Sequence, residues 1–89
     1  MSRDPHVDEL RGRIAARDRA VVEAVNERLR LVAELKAYKE ARGIAFLDPE
    51  REARLVAELQ AANAGPLSPE GVRELIETVL ALTKRELER

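Results

Sequence analysis

Three basic residues occupy positions where a long helix should be apolar. The chain has no Gly or Pro from Arg13 to Arg42, which predicts a long helix. At about 100° per residue, five apolar residues fall within roughly 60° of one line along it: Ile14, Val21, Val25, Val32 and Leu35. Arg11, Arg28 and Lys39 lie inside the same stripe. Burying a cation costs roughly several kcal/mol unless an anion meets it, so the pattern predicts a site for an anionic ligand.

The size and composition of the chain limit what it can be. Its 89 residues are 45% apolar and 37% charged, with one Phe, one Tyr and no Trp. A core built from small aliphatic side chains in so short a chain is marginal, so we expect oligomerisation to supply further burial. The net charge of −1 argues against a general nucleic-acid or membrane surface. There is no cysteine, no apolar run long enough to span a bilayer and no signal-peptide core, so we expect a cytoplasmic protein.

Start and stop signals divide the chain into three helices, at about 6–42, 49–63 and 69–87, in one domain spanning 1–89. Gly43 supplies the left-handed position after the first helix. Asp48 followed by Pro49 opens the second helix, and Ser68 followed by Pro69 opens the third, each with a side-chain cap and Pro at the first helical position. No strand pattern is present, so the predicted class is all-α. The first helix would be about 50 Å long, more than a chain of this size can cover, so its stripe is expected to pack on a partner.

Polar residues are predicted to face inward from all three helices. They are Arg11, Arg28, Lys39, Asp48, Arg51, Glu52 and Thr83. Cations that bind carboxylates, beside acids that accept from hydroxyls, suit a small hydroxylated dicarboxylate. The set has no Cys or His nucleophile–base pair, no metal-ligand cluster and no glycine-rich phosphate loop. It fits a reaction that needs only conformational restriction and electrostatic stabilisation.

Each of these residues also has an ordinary structural explanation. Lys39 and Arg11 lie near helix ends, where long side chains reach water. Asp48 is explained by capping alone, and Glu52 by the dipole at a helix N-terminus. Arg28 is the exception, because it lies in the middle of a helix among apolar neighbours.

Together these residues resemble the all-helical AroQ-class chorismate mutases. The resemblance runs from Val7 to about Leu87. It rests on Leu10-Arg11-x-x-Ile14, on Glu27-Arg28, on Lys39 and on Asp48-Pro-Glu-Arg51-Glu52, in that order and at those separations. It implies an intertwined homodimer of three-helix chains that converts chorismate to prephenate, on the way to Phe and Tyr, without a cofactor or a metal.

The resemblance also implies roles for the site residues. Arg28 and the partner chain's copy of Arg11 would clamp the substrate carboxylates, and Lys39 would hold a carboxylate and polarise the ether oxygen. Asp48 and Glu52 would position the ring hydroxyl. Arg51 would support them, and Thr83 would stand where the family often has Ser.

One position departs from the family pattern. Where the family usually has Gln or Glu reaching the ether oxygen, this chain has Leu87, with Glu86 and Glu88 on either side. Glu86 would substitute only if the last turn shifts, and it would have to be protonated to donate, which favours lower pH. Some family members are weak alone and are activated by a partner enzyme such as DAHP synthase, which the departure makes relevant here.

Two other readings stay open from the sequence. An isochorismate-pyruvate lyase of similar fold would use another pericyclic reaction. A weakly active or silent helical dimer would act as a regulatory or assembly module, which the Leu87 departure favours and the intact cation set opposes.

Overall fold

The structure, a computed structural model, describes residues 4–88 and consists of three α-helices. They are α1 (Pro5–Ala41), α2 (Pro49–Ala62) and α3 (Pro69–Leu87). No strand occurs within residues 4–88. The predicted all-α class is confirmed, and each helix boundary lies within one residue of its predicted position. The predicted domain, 1–89, reaches beyond the described residues at both ends.

Side-chain caps fix where each helix begins. Asp4 accepts from the backbone N–H groups of the first turn of α1. Asp48 does the same for α2, and the Ser68 hydroxyl accepts from Gly71 at the start of α3. Each cap is followed by Pro, whose fixed φ suits the first helical position. After α1, Gly43 has a φ of 66°, the left-handed conformation that the sequence predicts there.

Helix α3 lies between the other two helices and contacts both of them. The buried residues of the described chain are Val56 on α2 and Val72 and Thr83 on α3. Two side-chain amides close the turn between these helices: Gln60 donates to the Pro69 carbonyl at 2.8 Å, and Asn63 donates to the Leu67 carbonyl at 2.6 Å. The core of the single chain is therefore small and centred on α3.

The link between α1 and α2 is anchored by one aromatic side chain. Phe46 is half-buried, with the Lys36 ammonium 5.7 Å from its ring centroid. Ile44 and Leu47 on either side are exposed. This anchor fixes the chain just before the Asp48 cap, where the link joins α2.

The α1 stripe, which the sequence predicts to pack on a partner, is largely exposed in the single chain. Ile14 and Val21 are each 58% exposed and Leu35 is 47% exposed, whereas Val25 and Val32 are half-buried. The chain measures 59 Å along its longest axis, close to the length of about 55 Å expected for the 37 residues of α1. No helix among residues 4–88 is long and apolar enough to cross a membrane.

Candidate active site

A chamber of about 230 Å³ opens where the three helices and the α1–α2 link meet. Its polar lining consists of Arg28, Lys39, Asp48, Arg51, Glu52, Thr83 and Lys84. Its apolar lining consists of Val32, Leu35, Phe46, Leu47, Leu55 and Leu80. The volume is just below the roughly 300–1,000 Å³ typical of small-molecule sites, so the chamber suits a small ligand. Six of the nine residues predicted for the site line it.

Arg28 is held in the chamber by the buried hydroxyl of Thr83. Its Nη1 donates to Thr83 Oγ1 at 2.8 Å, and that hydroxyl donates to the Val79 carbonyl at 2.7 Å. Thr83 is only 6% exposed, and it follows Val79 by four residues, so the helix itself sets its orientation. A guanidinium fixed by a neutral hydroxyl keeps its charge available to an anion.

Asp48 both caps α2 and lines the chamber. Its Oδ1 accepts from the Arg51 backbone N–H at 3.0 Å. This bond directs the carboxylate toward the N-terminus of α2, where free N–H groups carry partial positive charge. Capping therefore explains the conformation of Asp48 and also fixes an acceptor at the chamber wall.

An ion pair links Glu52 on α2 to Lys84 on α3. Glu52 Oε1 lies 3.2 Å from Lys84 Nζ, with side chains 32% and 44% exposed respectively. At that exposure the pair contributes at most about 1 kcal/mol to stability. Its structural effect is to hold the Glu52 carboxylate on the α3 side of the chamber.

The chamber contains more positive than negative charge, and part of it is unpaired. Arg28, Lys39, Arg51 and Lys84 face two acids, Asp48 and Glu52. Within residues 4–88, neither Arg28 nor Lys39 has a carboxylate oxygen within 4.0 Å. Both cations are half-buried. An anionic ligand would supply the missing partners.

Three residues predicted for the site lie outside this chamber. Arg11 is exposed on the N-terminal part of α1, seventeen residues before Arg28 and therefore about 25 Å away along the helix. Glu86 and Leu87 are half-buried near the end of α3 and do not line the chamber. Their predicted roles are not tested by this arrangement.

One polar residue of the chamber was missed by the sequence prediction. Lys84 stands four residues after Leu80, the last-but-one residue of the predicted apolar face of α3. That spacing places it beside the inward face, but it does not distinguish Lys84 from an ordinary exposed lysine.

Three surface hollows are larger than the chamber. One, of about 360 Å³, lies between α2 and α3 and shares Glu52, Leu80 and Lys84 with it, and the other two do not resemble binding sites. Of those two, one is lined only by residues 10–17 of α1 and the other only by residues 74–85 of α3. A hollow on a single helix lacks the converging elements that enclose a ligand. The chamber built from three helices is the stronger candidate.

The fold and the chamber place this protein among all-helical proteins with a small, cation-rich chamber. The model of the family described as chorismate mutase type II matches residues 10–88. The chain belongs to the chorismate mutase type II family, and its function is that of a chorismate mutase. The predicted family is confirmed.

Solved structures agree with this assignment. The Form II structure of the chorismate mutase from Thermus thermophilus is 30% identical, with a TM-score of 0.87, and the match covers 94% of this chain and 96% of that chain. The Form I structure of the Thermus thermophilus enzyme is 29% identical, with a TM-score of 0.85, covering 88% and 98% respectively. Among curated proteins, no sequence matches this chain significantly.

Proposed function

We propose that the three-helix chamber is the active site at which this chorismate mutase converts chorismate to prephenate. The observation that carries the proposal is the pair of half-buried cations, Arg28 and Lys39, that face one small chamber without a carboxylate partner among residues 4–88. Chorismate carries two carboxylates, a ring hydroxyl and the ether bond that breaks. The chamber offers cations for the carboxylates, acceptors for the hydroxyl and a donor for the ether oxygen.

The reaction needs restriction and charge stabilisation more than acid–base chemistry. The ether C–O bond breaks while a new C–C bond forms within the same molecule, so no group leaves and no electron is exchanged with the protein. The side chain must fold over the ring before the bonds exchange, which binding in a small chamber favours. Negative charge then grows on the ether oxygen, and a fixed cation stabilises that transition state more than the ground state.

Arg28 and Lys39 take the leading roles in this proposal. Arg28 binds a substrate carboxylate, and its bond to Thr83 at 2.8 Å supports a fixed approach of the guanidinium. Lys39, on the same helix face three turns later, binds a carboxylate and donates to the ether oxygen. Half-burial of both side chains reduces screening by water and strengthens these contacts.

Asp48 and Glu52 act as acceptors for the ring hydroxyl in this proposal. Both are fixed before substrate arrives, Asp48 by the Arg51 N–H and Glu52 by Lys84. Arg51 supports the arrangement from the start of α2. Prepositioned acceptors select the hydroxylated ring because they lose their hydration when the chamber fills.

The proposed enzyme is a homodimer, and Arg11 completes the site of the partner subunit. Two observations support the dimer: the apolar stripe of α1 is exposed at Ile14 and Val21, and Arg11 lies about 25 Å along the helix from Arg28 of its own chain. A straight helix does not fold back, so Arg11 reaches a chamber only if that chamber belongs to a second copy.

Mixing two inactive variants tests whether each site is shared between the two subunits. Arg11→Ala and Arg28→Ala should each be inactive as pure proteins. Mixed under conditions that exchange subunits, they should recover activity in about a quarter of all sites, because half of the dimers become mixed and each mixed dimer has one intact site. Recovery no higher than either parent would rule out a shared site.

The C-terminal end of α3 is the least complete part of the proposed site. Neither Glu86 nor Leu87 lines the chamber, so neither supplies the second donor to the ether oxygen in this conformation. We therefore expect modest activity from the protein alone, and stimulation by DAHP synthase if that enzyme is its partner. The cytoplasmic location stays a prediction.

The assay that tests the function uses two substrates. Purified protein is incubated with chorismate and separately with isochorismate, and prephenate, salicylate and pyruvate are quantified. Prephenate formation well above the spontaneous rate supports the proposal. Pyruvate and salicylate from isochorismate, with chorismate unchanged, would identify a lyase, and no turnover of either substrate would favour the silent helical module.

A further inference from the structure

Lys84 brings a fourth cation into the chamber without leaving its charge available to a ligand. It follows Thr83 directly on α3, lines the chamber and places its Nζ 3.2 Å from Glu52 Oε1. Neither the sequence pattern nor the resemblance that it supports places a cation at this position. The question is what this ion pair does in a site whose other cations are needed for an anion.

The two acids of the chamber are held in different ways. Asp48 is fixed within α2 by the backbone N–H of Arg51 at 3.0 Å. Glu52 has no such backbone bond from its side chain among residues 4–88, and its only charged contact there is Lys84. The orientation of Glu52 therefore depends on the ion pair.

Without Lys84, Glu52 would be drawn toward the wrong cations. Arg28 and Lys39 line the same chamber of about 230 Å³ and have no carboxylate within 4.0 Å among the described residues. A Glu52 carboxylate released from α3 would be attracted to them and would compete with the carboxylates of the substrate. Its loss from the α3 wall would also remove an acceptor for the ring hydroxyl.

We infer that Lys84 is a positioning residue for substrate recognition, which acts through Glu52 by keeping that carboxylate away from Arg28 and Lys39. The inference rests on the proposed function, since it assumes that the chamber binds the dicarboxylate. In this inference Lys84 increases the affinity of the chamber for the dianion and does not contact the reacting atoms.

The first experiment compares substitutions at Lys84 with one at the neighbouring cation. The dissociation constant for prephenate and the KM and kcat for chorismate are measured for wild type, Lys84→Met, Lys84→Gln and Lys84→Arg. Arg85→Met is the matched control, because Arg85 is exposed in the same turn of α3 but does not line the chamber. Thermal unfolding of every variant separates binding effects from loss of folding.

Loss of the ion pair should weaken binding and leave the chemical step largely unchanged. Lys84→Met and Lys84→Gln should raise the prephenate dissociation constant and KM by roughly three- to fivefold, the scale of a partly exposed ion pair, with kcat within about twofold of wild type. Lys84→Arg, which keeps a cation opposite Glu52, should restore binding. Arg85→Met should bind as wild type does. Wild-type affinity in both neutral Lys84 variants would overturn the inference.

A double-mutant cycle decides whether Lys84 acts through Glu52. In a Glu52→Gln background no carboxylate is left to be held, so adding Lys84→Met should change the prephenate dissociation constant by less than about 1.5-fold. A three- to fivefold loss that persists in that background would mean that Lys84 attracts the dianion directly, which contradicts the inference. If wild type neither binds prephenate nor converts chorismate, the proposed function fails; if it does both, only the role of Lys84 is at issue.

Discussion

The contact between Arg28 and Thr83 ties the principal cation of the chamber to a buried helix position. Thr83 Oγ1 accepts from Arg28 and donates to the Val79 carbonyl, so its hydrogen-bonding capacity is largely used within the protein. Thr83 thus orients the guanidinium that we propose binds the substrate, whereas the resemblance to the family implied only that Thr83 stands at the Ser position.

Removal of the Thr83 hydroxyl should therefore leave the Arg28 guanidinium less well oriented for the substrate. Thr83→Val keeps the side-chain shape and should lower kcat/KM for chorismate by about tenfold, because a hydrogen bond to a charged group is lost. Thr83→Ser keeps the hydroxyl and should stay within about twofold of wild type. Steady-state kinetics checks both variants, and full activity in Thr83→Val would contradict this role.

At the residue scale, the sequence was informative where a residue type did not fit its neighbours. Arg28 and Lys39 stood out because cations interrupt an apolar stripe, and both line the chamber. Lys84 was missed because it lies beside the apolar face and resembles any exposed lysine. Its partner Glu52 is 32 positions away, and no local pattern predicts that contact.

At the scale of elements, the N-terminus of α2 combines a structural cap with a wall of the chamber. Asp48 accepts from the Arg51 N–H and lines the site with the same carboxylate. Because Asn caps helices about as well as Asp, one substitution separates the two roles.

Asp48→Asn should keep the helix and weaken catalysis. We expect the free energy of unfolding to change by less than about 1 kcal/mol, and kcat/KM to fall by about tenfold because the charged acceptor is lost. Ser68→Ala is the matched control: it removes the cap of α3, away from the chamber, and should lower stability by about 1 kcal/mol while kcat stays as in wild type. Denaturant unfolding and kinetics measure both, and unchanged kcat/KM in Asp48→Asn would assign that residue to capping alone.

The helix boundaries were predictable because nearby residues determine where each helix begins or ends. Asp48-Pro49, Ser68-Pro69 and Gly43 each set a backbone conformation within a few positions, and all three act as predicted. The same Asp-Pro signal at Asp4 sets the start of α1 at Pro5, one residue before the predicted start.

At the scale of the whole molecule, the single chain leaves too much apolar surface exposed. Along α1, Ile14, Val21 and Leu35 are each about half exposed, and Val56 and Val72 are the only buried apolar residues among those that the structure describes. Periodicity predicted the stripe correctly but did not indicate what covers it, since the same pattern serves an internal core and an interface between chains.

An acid in the α1 stripe should therefore break the proposed dimer. Val21→Asp should sediment as a monomer and lose activity, because an unpaired charge cannot be buried cheaply and Arg11 then reaches no chamber. Arg19→Asp, two positions away and about 160° round the helix, should remain dimeric. Analytical ultracentrifugation distinguishes these results, and a monomeric wild-type protein with full activity would contradict the dimer.

The most direct test of the whole account is kcat/KM for the conversion of chorismate to prephenate in three proteins: wild type, Arg28→Ala and Arg30→Ala. Arg30 is the matched control, because it is exposed and pairs with Glu27 at 2.9 Å, outside the chamber. We predict that wild type and Arg30→Ala accelerate the reaction alike, and that Arg28→Ala loses at least about a hundredfold. Equal rates in Arg28→Ala and wild type, or no acceleration by wild type, would contradict the assignment of the chamber as the active site.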